Sequence, residues 1–167
     1  ITFNETRFGA PAGFAYDRRV AVSIVGTTLY WALVFRNTAT SDQLIRFART
    51  SDTGTLEVTP VDVRTLAAGE IFGTTAFNIV TDSLGNSWIL YLHTPTLAAP
   101  EPYFLRVNSV GTVLTGETQP FAKPVLLDEP LRWAGGGIDP GGTFMDLVLW
   151  GRIQISDLAM FYHARVA

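Results

Sequence analysis

The sequence predicts an all-β fold, with a two-sheet antiparallel β-sandwich as the favoured architecture and a β-propeller-like repeated meander as the alternative. Short segments rich in Val, Ile, Leu, Thr and aromatic residues recur along the whole chain, and Gly, Pro, Asn and Asp separate them. Several segments alternate apolar and polar residues, which is the period of a half-buried strand. A helix-like start is found only at Ser156, where it favours one short turn.

Ten segments are the clearest strand candidates, and the connections between most of them are short. Each connection supplies a residue that can take a positive φ where a tight reversal needs one, as in Asp52-Thr53-Gly54, Ser83-Leu84-Gly85-Asn86, Ser109-Val110-Gly111 and Pro140-Gly141-Gly142. The predicted strands are Val20–Val25, Leu29–Arg36, Gln43–Arg49, Thr55–Val58, Thr74–Val80, Ser87–His93, Tyr103–Val107, Thr112–Thr115, Phe144–Arg152 and Ala159–Ala164.

The predicted strands differ in how many of their faces are apolar. Tyr103, Leu105 and Val107 alternate with Arg106 and Asn108, so one face of this strand is expected in the core and the other in water. The run from 87 to 92, Ser-Trp-Ile-Leu-Tyr-Leu, is apolar on both faces. It is therefore expected in a central position, between layers or beneath a partner.

An internal similarity supports the meander alternative. An apolar strand, a polar link, a second strand and a Gly turn occur at 29–54 and again at 87–111. A β-propeller shows such a recurrence. The spacing of about 57 residues exceeds that of common propeller blades, which run to about 40–50 residues. The sandwich is therefore favoured.

Composition predicts one domain over residues 1–167 and a role in an assembly. Hydrophobic residues make up 47% of the chain and charged residues 16%, well below the roughly 25% charge of an average soluble domain. Mean hydropathy is +0.23. Such a charge-poor surface favours burial against partner subunits, so we expect a homo-oligomer or another assembly.

Several classes of function and stabilisation are disfavoured. The net charge of −3 and the scattered basic residues argue against nucleic-acid binding. The absence of cysteine excludes disulfides, a thiolate nucleophile and cysteine-type zinc sites. No apolar run reaches the roughly 18 residues of a membrane-spanning helix. We expect neither nucleic acid nor a membrane span among the partners.

Residues 66–164 carry a family resemblance, and its sharpest signal is in the C-terminal third of the chain. The segments that carry it are Pro130-Leu131-Arg132-Trp133-Ala134-Gly135-Gly136-Gly137, Phe144-Met145-Asp146-Leu147-Val148-Leu149-Trp150-Gly151-Arg152 and Ile155-Ser156-Asp157-Leu158-Ala159-Met160-Phe161-Tyr162, with Leu66-Ala67-Ala68-Gly69-Glu70, Asn78-Ile79-Val80-Thr81-Asp82 and Ile89-Leu90-Tyr91-Leu92 upstream. Over about residues 66–164 they resemble laminin G-like, concanavalin A-like domains. The resemblance implies a jelly-roll sandwich that acts as a binding module. Ile71-Phe72 stands where that family commonly has a Trp-His pair.

The same resemblance implies a ligand site in the loops at the rim of the sandwich. Calcium is the metal it implies, with Asp82, Asn86 and Asp139 in Gly-rich turns as candidate ligands. Turn geometry is the better explanation for these three residues. Trp133, with Arg132 beside it and a Gly run after it, is the candidate for stacking on a sugar ring. Core packing explains Trp31, Trp88 and Trp150 better.

No catalytic residues can be assembled from the sequence. His93 and His163 are the only histidines, and each ends an apolar strand, where an edge or hydrogen-bonded core imidazole is expected. A Gly-x-Ser-x-Gly elbow is absent. Glu101 and the Asp128-Glu129 pair lie in proline-flanked loops instead of on one strand face, as paired glycosidase carboxylates would. We therefore expect a protein that is not an enzyme and needs no cofactor.

Together these observations predict a non-enzymatic structural or adhesion module on the surface of a larger assembly. A phage or virus particle is the favoured setting, as a capsid, fibre or capsid-decoration protein. The alternative is a lectin-like, carbohydrate-binding domain of an extracellular protein. The expected location is therefore the virion or the extracellular space.

Overall fold

The computed structural model describes residues 8–67, 71–94, 101–120, 132–138, 145–152 and 159–166. The elements in these ranges are eleven β-strands. They are β1 (Phe14–Val25), β2 (Thr28–Asn37), β3 (Gln43–Ser51), β4 (Leu56–Leu66), β5 (Ile71–Thr81), β6 (Ser87–Thr94), β7 (Glu101–Val107), β8 (Val113–Thr118), β9 (Arg132–Ile138), β10 (Met145–Arg152) and β11 (Ala159–Val166).

The strands form three antiparallel sheets in which each strand pairs with its neighbour in sequence. Sheet A has the order β1-β2-β3-β4, sheet B the order β5-β6-β7-β8, and sheet C the order β11-β10-β9. The first strands of consecutive sheets are neighbours, since β1 contacts β5 and β5 contacts β9. Within the described strands, the chain is therefore a succession of antiparallel meanders.

The predicted all-β class and the stacking of two antiparallel sheets as a β-sandwich are confirmed, since sheets A and B share one core. Among the described strands the order is that of a repeated meander, as in the alternative, because no sheet built from them contains the crossover connection of a jelly roll. The two similar segments, 29–54 and 87–111, correspond to β2-β3 and β6-β7 with their following Gly turns. That residues 1–167 form one domain stays a prediction.

Sheets A and B stack through a shared apolar core. The apolar side chains on the facing sides of sheets A and B pack together and are removed from water. This burial is the main contribution to the stability of two stacked sheets. The buried members are Ala21, Tyr30, Ala32, Val34, Ile45, Phe47 and Leu66 from sheet A and Ile79, Ile89, Tyr91, Leu105 and Val107 from sheet B.

The run at 87–92 is central, as predicted. It forms most of β6, and Trp88, Ile89, Leu90, Tyr91 and Leu92 are all 0% exposed. A strand that is apolar on both faces fits a position between layers. The predicted central location of this strand is confirmed.

The expected wet face of β7 is not found. Phe104, on the face opposite Leu105, is only 3% exposed. The Arg106 guanidinium lies over the ring of the fully buried Trp88, 4.5 Å from its centroid. Arg106 points away from the core of sheets A and B, as predicted, but it packs on an aromatic ring because that side of sheet B is also covered.

The tight turns lie together at one end of sheets A and B, which we call the turn end. Gly54, Gly85 and Gly111 have φ values of 81°, 85° and 85°, so their predicted left-handed conformations are confirmed. In each turn this Gly donates a backbone hydrogen bond three residues back, to Ser51, Asp82 or Asn108. The predicted turn at 140–142 lies outside the described residues.

Candidate functional site

Two groups of linked charged side chains lie at the end of sheets A and B opposite Gly54, Gly85 and Gly111, which we call the polar end. In sheet A, β1 and β3 begin there and β2 ends there. In sheet B, β6 ends there and β7 begins there. Two groups of charged residues occupy this end. One surrounds an irregularity in β1, and the other joins sheet A to sheet B.

The first group, which we call the bulge cluster, is centred on Asp17. Its Oδ2 atom accepts hydrogen bonds of 2.5 Å from Arg19 Nη2 and of 2.5 Å from Gln43 Nε2. Arg36 Nε lies 3.5 Å from the same oxygen, beyond a well-formed hydrogen bond. Gln43, which donates to Asp17 from the buried side of the cluster, is 1% exposed, whereas the Arg36 side chain is 46% exposed.

The backbone of β1 explains why these side chains converge. The pairing of β1 with β2 shifts register between Tyr16 and Val20. Arg18, inside this bulge, has a φ of 57°, a left-handed conformation that a non-glycine residue rarely adopts. A bulge re-aims the side chains of an edge strand, and Arg18 is exposed beside Asp17 as a result.

The second group, the inter-sheet cluster, is centred on Glu117 of β8. Glu117 Oε1 accepts hydrogen bonds from the Tyr91 hydroxyl at 3.0 Å and from His93 Nδ1 at 2.9 Å, both on β6. Glu117 Oε2 accepts one from Arg64 Nη2 of β4 at 2.5 Å. The ring of Tyr103 lies 5.1 Å from that of His93. One carboxylate thus connects the two sheets.

The electrostatics of the inter-sheet cluster favour a single protonation pattern. Partial burial by itself would raise the pKa of Glu117, but the hydrogen bond with His93, the charge of Arg64 and the Tyr91 hydroxyl outweigh it and hold the pKa below its usual value. Burial, followed by the adjacent Glu117 charge, raises the pKa of Tyr91 far above its ordinary value. Glu117 is therefore ionised and Tyr91 protonated at neutral pH.

Two of the predicted ligand residues, Asp82 and Asn86, lie together in the turn between β5 and β6. Asp82 is 3% exposed. Its Oδ1 accepts from the backbone N–H groups of Leu84 at 2.9 Å and Asn86 at 2.8 Å, and its Oδ2 accepts from Asn86 Nδ2 at 2.8 Å. The carboxylate thus stabilises its own turn, the arrangement that turn geometry predicts for an Asp at this position.

Two further predicted site residues, Arg132 and Trp133, lie in sheet C. Arg132 and Trp133 begin β9, where they pair with Trp150 and Leu149 of β10. The Gly run after Trp133 continues β9 instead of forming the expected loop, because its backbone pairs with β10. The structure describes neither side chain, and Asp139 lies outside the described residues.

Both histidines occupy the kind of position that was predicted for them. His93 is 6% exposed and hydrogen-bonded to Glu117, so it is a core imidazole. His163 has a side chain 62% exposed, and its Nε2 lies 2.9 Å from Asp146 Oδ1. In the described part of the chain, no three His, Asp or Glu side chains meet as a metal ion would require. Nor does that part hold a helix long and apolar enough to cross a membrane.

Sequence reasoning missed Asp17, Arg36 and Glu117. Asp17 and Gln43 are 26 residues apart in the sequence, and so are Tyr91 and Glu117. No local motif therefore indicates either contact. The one available signal was the charged run Asp17-Arg18-Arg19, which interrupts an otherwise strand-like segment. Bulges are over-represented at sheet edges and next to active sites, so an irregularity in this strand is of functional interest.

Comparison with known proteins supports the fold and leaves the family open. The chain matches no protein-family profile and no curated protein. Among solved structures it is similar to the Hadza microbial sialidase Hz136, with a TM-score of 0.64 and 13% identity over 92% of this chain and 35% of that one. A chain described as a glycoside hydrolase matches with a TM-score of 0.43 and 11% identity, over 94% of this chain and 55% of that one. At 13% identity the sialidase match shows a shared fold, and this chain spans about a third of that protein's length.

Proposed function

We propose that this chain is a non-enzymatic carbohydrate-binding module that holds an acidic sugar at the bulge cluster. The observation that carries the proposal is the pairing of an anchored carboxylate with exposed guanidinium groups at one bulge. Asp17 is fixed by Arg19 and Gln43, while Arg36 and Arg18 remain exposed beside it. The sialidase whose fold this chain shares is, by its name, an enzyme directed at carbohydrates.

The chemistry of the cluster suits a sugar that carries a carboxylate. An arginine guanidinium presents parallel N–H donors that match a carboxylate, and such charge-assisted bonds are about twice as strong as neutral ones. The exposed Arg36 and Arg18 supply these donors. Asp17 can accept a hydrogen bond from a sugar hydroxyl.

The non-enzymatic part of the proposal is supported by the inter-sheet cluster. Most glycoside hydrolases use a carboxylic acid with a raised pKa to protonate the leaving oxygen, and sialidases with a tyrosine nucleophile are among the exceptions. The pKa of Glu117 is lowered instead, and its two oxygens already accept from Tyr91, His93 and Arg64. Glu117 therefore serves to join the sheets in this proposal, and it takes no part in proton transfer.

Titration calorimetry with glucuronic acid, N-acetylneuraminic acid and glucose tests the proposal. The wild-type chain should bind one or both acids more tightly than glucose. Arg36→Gln should weaken that binding about 10-fold or more, because a hydrogen bond between charged groups contributes roughly 1.5–3 kcal/mol. Arg18→Gln should act in the same direction.

The matched control is Arg49→Gln, which removes an arginine at the turn end. Arg49 Nε lies 3.1 Å from Glu57 Oε2, and its side chain is 24% exposed. This variant should bind the acids like the wild type. Failure of all three sugars to bind, or equal losses from Arg36→Gln and Arg49→Gln, would contradict the proposal.

The second candidate function is the structural or adhesion module on the surface of an assembly, with a phage or virus particle as its setting. Apolar side chains at the free edge of sheet A favour it, since Val22 is 42% exposed and Ile24 is 65% exposed. Immunogold labelling of intact particles from the source tests the setting. Labelled particle surfaces would support this candidate, and purified particles that lack the protein would rule it out.

A further inference from the structure

The bulge cluster lies on the face of sheet A that packs against sheet B. Arg36 follows Val34 on the same face of β2, and Gln43 precedes Ile45 on the same face of β3. Val34 and Ile45 belong to the core that the two sheets share. Leu66, the partner of Gln43 in β4, is 0% exposed. The cluster therefore stands over the end of the shared core, where a ligand can approach it from the polar end.

The donors of this cluster converge on one oxygen of the Asp17 carboxylate. Arg19 and Gln43 both donate to Oδ2, and Arg36 Nε approaches the same atom to 3.5 Å. The other oxygen, Oδ1, accepts no hydrogen bond from another described residue. The Asp17 side chain is 20% exposed, and each carboxylate oxygen can accept hydrogen bonds. One oxygen thus fixes the side chain, and the other is left as an acceptor for a ligand.

Donors for an anionic group lie beside this acceptor, because Arg18 and Arg36 are exposed next to Asp17. With Arg19, the cluster holds three arginines and one aspartate. Its net charge is positive, so a second carboxylate is tolerated close to that of Asp17. Since Arg36 Nε lies only 3.5 Å from the Asp17 carboxylate, a ligand that uses both must carry a hydroxyl and a carboxylate on neighbouring carbon atoms.

We propose that Asp17 is a specificity-determining residue for a terminal hexuronic acid, whose hydroxyl donates to Oδ1 while its carboxylate binds Arg36 and Arg18. This inference rests on the proposed function and deepens it, because it separates two classes of acidic sugar. A hexuronic acid at the non-reducing end of a glycan has a free hydroxyl on the ring carbon next to the one that bears the carboxylate. In a glycoside of N-acetylneuraminic acid, that neighbouring carbon is a methylene group. Only the hexuronic acid can contact both Asp17 and the arginines in this way.

Titration calorimetry of the wild-type chain tests the inference with methyl glucuronide and its analogue that lacks the hydroxyl next to the carboxyl-bearing carbon. This deoxy analogue keeps the carboxylate, and it should bind about 10-fold more weakly or worse because the hydrogen bond to Asp17 is lost. The methyl glycoside of N-acetylneuraminic acid should also bind more weakly than the glucuronide. Equal binding of the glucuronide and its deoxy analogue would overturn the inference and leave the proposed function in place. Failure of every acid to bind would remove both.

Asp17→Asn tests the residue itself. Arg19 and Gln43 donate to the Oδ2 position, so the new side chain must place its carbonyl oxygen there and its amide nitrogen at the Oδ1 position. The preference for the glucuronide over its deoxy analogue should fall to about threefold, because a neutral hydrogen bond is about half as strong as a charge-assisted one. Asp62→Asn, which removes the carboxylate paired with Arg46, is the matched control and should keep the wild-type preference. Circular dichroism shows that both variants are folded, and an unchanged preference in Asp17→Asn would overturn the inference.

Discussion

The Tyr91 hydroxyl donates to Glu117 Oε1 across 3.0 Å, and this bond holds in place the carboxylate that joins the two stacked sheets. Tyr91 is 0% exposed, so its hydroxyl has no water to replace the bond. Glu117 in turn accepts from Arg64 of the opposite sheet. The polar end is therefore stabilised by a buried polar network in addition to the apolar core. Removing one member of such a network leaves a buried polar group without its partner, which lowers stability.

Tyr91→Phe should lower the free energy of unfolding by about 1–3 kcal/mol, the cost of leaving a buried hydrogen-bonding group without its partner. Tyr30→Phe is the control. Tyr30 is also buried, at 6% exposure, and its hydroxyl makes no hydrogen bond to another described residue. Urea unfolding of both variants measures the difference. Equal losses of stability would show that the Tyr91–Glu117 bond contributes nothing.

Acid should destabilise the chain through Glu117. Because its folded-state pKa is depressed, Glu117 contributes stability that is fully present above the unfolded-state pKa of about 4.3 and is lost as pH falls through the lower folded value. Glu117→Gln should therefore lose stability at pH 7 and show a flatter stability profile below about pH 4.3. Thermal melting from pH 7 to pH 3 gives both quantities.

Asp146 provides the comparison for this pH dependence. Hydrogen bonds from Arg165 and His163 lower its pKa to about 2, yet the carboxylate lies at the surface, where solvent screens such pairs. Asp146→Asn should leave the acid branch of the melting profile close to that of the wild type. A larger change for Asp146→Asn than for Glu117→Gln would contradict the assignment of acid sensitivity to the inter-sheet cluster.

Gly85→Ala should be strongly destabilising, by more than about 2 kcal/mol, because it combines left-handed strain with overpacking. A Cβ at this position would lie 2.7 Å from the Tyr30 hydroxyl oxygen and 2.8 Å from Ser109 Cβ. Gly26→Ala isolates the backbone contribution, since Gly26 has a φ of 60° and nothing within 4 Å of its added Cβ. Chemical unfolding should show a smaller loss for Gly26→Ala, and similar losses would exclude a role for the close approach.

Asp82→Ala should destabilise the β5–β6 turn by about 1–3 kcal/mol, since two backbone N–H groups lose their acceptor. Asp52→Ala, in the β3–β4 turn, is the control, because Ser51 accepts the corresponding bond from Thr55 there. Calcium should leave the melting temperature of the wild type unchanged, because the Asp82 carboxylate is occupied within its turn. A rise of several degrees with calcium would restore Asp82 as a metal ligand.

Local sequence patterns predicted most of the strands and the turns between them. Ten of the eleven strands overlap a predicted segment, and Gly54, Gly85 and Gly111 take the positive φ that their turns require. The alternation of apolar and polar residues and the residues typical of turns are local signals, so they can be recognised without knowledge of the fold. The strand that was missed, β9, contains a Gly run whose pairing with β10 decides its conformation.

The sequence by itself determined the all-β class, the apolar core strands and the structural role of His93, because each depends on the residue and its near neighbours. Only the tertiary structure decided the meander order, the two polar clusters and the exposure of Val22 against the burial of Ile79. These features join residues far apart in the chain. Which strands become neighbours depends on the burial and pairing of whole sheets, and no local pattern encodes that choice.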